Sequence, residues 1–138
     1  MSPENEELVR RSFETFNRGG VDAVFGEGIW SPEIVWDATP TGVPGLGIYR
    51  GREEIKSFFE DDWFSAFPAD AFEVEVDEVI DHGDRVITIY RQRGRGAASG
   101  AATDGVFAQV ATIRDGQFVR IDNYLDAARA LEAAGLRK

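Results

Sequence analysis

Apolar residues recur at three- and four-residue spacing near the start of the chain. Leu8, Val9, Ser12, Phe13 and Phe16 fall on one face of a helix running from about residue 3 to 18. Ser2 and Pro3 suit the N-cap and first helical position, and Glu4, Glu6 and Glu7 complement the helix dipole. Gly19-Gly20 ends this helix, and a short second one over residues 21–25 is cut off by Gly26 and Gly28. A further helical stripe, Ile55, Phe58, Phe59, Trp63 and Ala66, predicts a helix from about 52 to 66 that Pro68 stops.

Beyond Pro68 the period changes to two. In "FEVEVDEVI" Phe72, Val74 and Val76 alternate with Glu73, Glu75 and Asp77, the pattern of a half-buried strand. "DHGD" is a turn and "RVITIYRQR" the returning strand; "GRGAASGAAT" reads as a longer hairpin loop. "GVFAQVATIR" and "QFVRIDNYL" flank Asp115-Gly116, a strong two-residue hairpin signal. Asp126 can cap a last short helix, "AARALEAAG". Upstream, residues 33–39 form a strand and "ATPTGVPGLGIYRG" a loop. Helices first and a meander afterwards predict an α+β fold in one domain over residues 1–138. In it a curved antiparallel sheet over about 72–126 carries the N-terminal helices on its concave face, a cone-shaped barrel with a cavity between the layers.

The composition suits such a core: 43% of residues are hydrophobic, and ten Phe, three Trp and three Tyr exceed what a small core strictly needs. With 25 acidic residues against 15 basic ones the net charge is −10, which argues against nucleic acid and against anionic membranes as partners. No apolar stretch approaches the roughly 20 residues that span a bilayer. The charged start "MSPENEELVRR" lacks the apolar segment of a signal peptide, so the expected address is the cytoplasm. There is no Cys, and the one His, His82, sits in the "DHGD" turn. No metal cluster or phosphate-binding loop is visible, and the expectation is a protein without metal or cofactor.

Several segments, "ENEELVRRSFETFNRGG", "YRGREEIKSFFEDDW" and "FVRIDNYLDAARALEAAGL", together with the order of everything between them, resemble the SnoaL-like polyketide cyclase family. That family belongs to the nuclear transport factor 2-like superfamily, which also contains ketosteroid isomerase. The resemblance covers nearly the whole chain and implies the same cone. The superfold hosts many activities, so it implies much less about chemistry. In ketosteroid isomerase a carboxylate base works opposite a Tyr and a protonated Asp. By resemblance the base falls on Asp37 in "IVWD", the second acid on Gln109 and the oxyanion Tyr on Ser12. The acid/base Asp of the cyclases falls on Asn123, or on Asp122 if the alignment slips by one. Alternation puts Val119, Ile121, Asn123 and Leu125 on one strand face and Phe118, Arg120, Asp122 and Tyr124 on the other, which places Asn123 inside.

Two functions from different classes follow. In the first, Asp37 is the base that moves a proton alpha to a carbonyl, with Gln109 and Asn123 as oxygen donors, in a cofactor-independent isomerase or cyclase. In the second the cone is a non-catalytic site for a small apolar or aromatic ligand. There Asp37 only caps its strand end, and Gln109 and Asn123 hold a polar group. Both readings give the pocket the same wall: Phe16, Phe59, Trp63, Ile121 and Leu125. A homodimer through the outer sheet face, using Tyr124, Phe118, Tyr90 and Val86, is the expected assembly.

Overall fold

The computed structural model describes residues 3–136. The proposed N-cap Ser2 lies outside that range. The first helix, α1 (Pro3–Gly26), joins the two expected N-terminal helices end to end. They meet at Gly20, whose φ of 67° and ψ of −156° break the helical path. A side chain rarely adopts that conformation, so glycine at this position lets the chain turn without strain.

Strand β1 (Trp30–Asp37) starts earlier than the pattern suggested and crosses Pro32, where its register against the neighbouring strand shifts. A one-turn 3-10 segment (Thr39–Thr41) and a very short strand β2 (Ile48–Arg50) follow. Three residues are too few for alternation to show, which is why β2 was hidden in the expected loop. The second helical stripe becomes α2 (Gly51–Ser57), a π-helical turn (Phe58–Trp63) and α3 (Phe64–Ala66). The meander is β3 (Glu73–His82), β4 (Arg85–Arg95), β5 (Ala102–Arg114) and β6 (Gln117–Tyr124), closed by helix α4 (Ala127–Ala133). Asp115 and Gly116 both take positive φ, 53° and 75°, as the tight turn between β5 and β6 requires.

The six strands form one sheet in the order β2-β1-β6-β5-β4-β3. Its edges stay apart, so the cone is an open, curved sheet. All pairings are antiparallel except one: β1 runs parallel to β6, pairing Trp36 with Ile121 and Asp37 with Asp122. That pair brings the N-terminal strand β1 alongside the last strand β6, across the intervening helices and the rest of the meander. Register shifts in three pairings, including Val76/Glu78 and Thr112/Ile113, supply the bending that bulges give a sheet.

Both faces of this sheet are covered. On the concave side Val74, Val86, Ile113 and Phe118 pack with Val9, Phe13 and Phe59. On the convex side Ile87, Ala108 and Val110 pack with Ala130 and Ala134 at the C-terminal end. The β3 edge is tied to α1 by Asn17, whose side-chain amide donates to the Val74 carbonyl and accepts from the Val74 N–H. No helix among the described residues is long and apolar enough to cross a membrane.

The outer-face set expected for a dimer is corrected. Val86, Tyr90 and Phe118 face the concave side. Val86 and Ile87 are equally sealed, so alternation in "RVITIY" could not tell which face was which. Phe118 changes face because the β5–β6 pairing jumps from Arg120 to Phe118 and leaves Val119 as the extra residue. Of the four, Tyr124 alone packs with the convex cluster, and it also borders the cavity described next.

Candidate functional site

A cavity of about 460 Å³ lies between the helices and the concave sheet face. Nearly half of its lining residues are aromatic, and all three Trp of the chain, Trp30, Trp36 and Trp63, belong to it. Phe16 meets Phe59 edge-on at 5.3 Å between ring centroids, and Phe59 meets Trp36 at 5.2 Å. Such offset geometry suits aromatic packing and leaves a stiff wall. The π-helical turn carries Phe58, Phe59 and Trp63 to this wall together. The indole N–H groups of Trp30 and Trp63 are buried and have no hydrogen-bond partner among the described residues.

Polarity in the deep part is concentrated on β5 and β6. Gln109 and Asn123 stand directly opposite each other in the ladder, and both are nine-tenths buried. Asn123 Nδ2 donates to the Asp37 backbone carbonyl at 3.0 Å, and Gln109 Nε2 donates to Asn123 Oδ1 at 3.2 Å. A carbonyl can only accept, so it fixes the Asn123 amide, which in turn fixes Gln109. Tyr90 on β4 completes the group. Burial pushes its phenol pKa up strongly, and the neighbouring Gln109 amide pulls the other way.

Of the expected site residues, Gln109, Asn123, Phe16, Phe59, Trp63, Ile121 and Leu125 all line the cavity, with Asn123 inside as alternation required. Asp37 does not. Trp36 and Asp37 are consecutive in a strand and must point to opposite faces. Trp36 enters the cavity beside Ile121, so the Asp37 side chain turns outward with Asp122. Its Oδ1 accepts from the Thr39 N–H at 2.9 Å and the Thr39 hydroxyl at 2.6 Å, and its Oδ2 accepts from Arg120 Nη2 at 3.0 Å. Arg120 also bonds both Asp122 oxygens, at 3.0 and 3.1 Å. Asp122 above all, and then Asp37, holds the guanidinium more firmly protonated than a free one, against the effect of its partial burial. The Asp37 carboxylate is thus the strand-end cap of the two sequence readings, with both oxygens engaged.

Among the described residues the only carboxylate on the cavity lining is Asp104, half-exposed and paired with Arg91 at 2.9 Å. Ser12, the position matched to the isomerase Tyr, lines the cavity but spends its hydroxyl on the Val9 carbonyl at 2.7 Å. No group of three or more His, Cys, Asp or Glu that could hold a metal occurs among the described residues. Sequence reasoning missed Tyr90, Trp36 and the loop residues Thr41, Val43 and Leu46, which close one side. Trp36 could have been found: in "IVWD" the aromatic neighbour competes with Asp37 for the inner face.

A family model described as a SnoaL-like domain matches residues 9–121. No curated protein matches the chain. Among solved structures, an NTF2-like protein of unknown function from Burkholderia pseudomallei K96243 superposes with a TM-score of 0.73 at 24% identity, over 96% of this chain and 97% of that one. A candidate SnoaL-like polyketide cyclase from Jannaschia sp. CCS1 gives 0.72 at 24%, over 98% and 93%. TerC, co-crystallised with polyporic acid, gives 0.73 at 21%, over 98% of both chains. At these identities the likeness establishes the fold.

Proposed function

This chain belongs to the SnoaL-like domain family, and from that premise we propose that its interior cavity binds a small, uncharged, partly aromatic molecule bearing a carbonyl or hydroxyl oxygen, without using Asp37 as a base. The observation that carries the reading is the neutral amide pair, Gln109 and Asn123, buried opposite an aromatic wall, with the one candidate base turned away and capped. A volume of about 460 Å³ falls within the ~300–1,000 Å³ usual for small-molecule sites. The company of a candidate polyketide cyclase and of a relative co-crystallised with polyporic acid is in keeping with an organic ligand of this kind.

General-base chemistry needs a basic atom within hydrogen-bond reach of the proton to be removed. The cavity offers amides, hydroxyls and rings, and its one carboxylate sits half-exposed beside Arg91. The net charge of −10 further disfavours phosphorylated ligands.

Because every Trp lines the cavity, intrinsic fluorescence reports directly on its occupation. Titration with 2-acetylnaphthalene should quench it saturably, and 1-naphthyl phosphate should not. Equal saturable quenching by the phosphate, or none by the ketone, would overturn the reading.

A further inference from the structure

Tyr90 is 8% exposed and lines the cavity, held between the rings of Phe13, 5.2 Å away edge-on, and Phe107, 6.2 Å away. The Gln109 side chain lies diagonally across from it on the neighbouring strand, where Gln109 pairs with Thr88 and Tyr90 with Phe107. The orientation of that amide is fixed from outside the cavity, since the Asp37 carbonyl orients Asn123 and Asn123 Oδ1 takes a Gln109 N–H. Gln109 spends an N–H on Asn123, and among the described residues no group accepts the Tyr90 O–H at hydrogen-bond distance.

A buried hydroxyl with an unused proton beside an apolar cavity is a hydrogen-bond donor waiting for an oxygen. We propose that Tyr90 donates the orienting hydrogen bond to the carbonyl oxygen of the ligand, with the Phe13 and Phe107 rings holding it in position. This rests on the binding reading given above and adds the group that recognises the ligand's oxygen. The strongly raised pKa keeps Tyr90 a phenol, and so a donor, across neutral and moderately alkaline pH.

The test compares two probes of nearly the same shape, 2-acetylnaphthalene and 2-isopropenylnaphthalene, in which a CH₂ replaces the carbonyl oxygen. The wild-type protein should bind the ketone about 3–10-fold more tightly, the usual net worth of one hydrogen bond. Tyr90→Phe should abolish that preference and leave the hydrocarbon's affinity unchanged, which a merely structural role for Tyr90 would not do. Infrared spectra of the bound ketone give an independent readout: its C=O stretch should lie lower in the wild type than in Y90F. A preference and a stretch that both survive in Y90F would overturn the role of Tyr90 while leaving the binding reading intact. Failure of both probes to bind the wild type would instead remove the binding reading, and this proposal with it.

Discussion

Asn123 spends both halves of its amide inside the protein, on Gln109 and on the Asp37 carbonyl, and this decides what its replacement does. Asn123→Leu leaves a buried N–H and a buried carbonyl unpaired, so it should lower the unfolding free energy by about 1–3 kcal/mol. Urea melts read this as a lower midpoint at unchanged slope. Tyr90 gives a pH-dependent counterpart. Its folded pKa lies above the ordinary phenol value of about 10, so the folded state holds this proton more tightly than the unfolded chain does. Its contribution to stability is full below pH ~10 and is lost as pH rises from there towards the folded value. Y90F should therefore lose less stability than the wild type between pH 9 and 11. Tyr124 is shifted the same way by partial burial and by the charges of Asp122 and Asp37, so Y124F should act in the same direction. Equal alkaline loss in Y90F and wild type would contradict this account. At this scale the sequence was legible wherever neighbours disagreed in polarity: Asn123 beside Asp122 was placed correctly, because one had to face in. Val86 beside Ile87 was not, because two apolar residues under two covered faces carry no sign of direction.

Strand β1 and the turn after it work as one element. Asp37 caps that turn through Thr39 and pins it to β6 through Arg120. Asp37→Ala removes these bonds to a charged group and should cost about 1.5–3 kcal/mol in denaturation experiments. The affinity for 2-acetylnaphthalene should change less than twofold, since the carboxylate lies off the cavity lining. A large loss of binding at unchanged stability would put Asp37 back in the site. The hairpin between β5 and β6 depends on Gly116 at φ 75°. Gly116→Ala should cost about 1–2 kcal/mol, the strain of a left-handed alanine, measured in the same way. Hairpins and long helices were readable because turn chemistry and periodicity are local. The parallel β1–β6 pair and the π-helical turn were not. The first is a meeting of distant segments with no local signature, and the second keeps nearly the spacing of an α-helix while widening it by a residue.

For the whole molecule, the two covered faces of the sheet leave a narrower surface for self-association than the pattern implied. A homodimer remains the expected assembly, and it would have to use convex positions such as Val106, which is 42% exposed, rather than Val86, Tyr90 or Phe118. Light scattering at high concentration should show twice the monomer mass, and Val106→Lys should shift it towards one. Under the proposed function the cavity holds a neutral, oxygen-bearing aromatic molecule without moving its protons. The α-proton exchange of 2-acetylnaphthalene in D₂O, followed by ¹H NMR with saturating protein, tests this most directly. The methyl protons should exchange at the buffer rate while the ketone is demonstrably bound. Exchange accelerated by the wild type and lost in Asp37→Asn would contradict the account and make Asp37 the base.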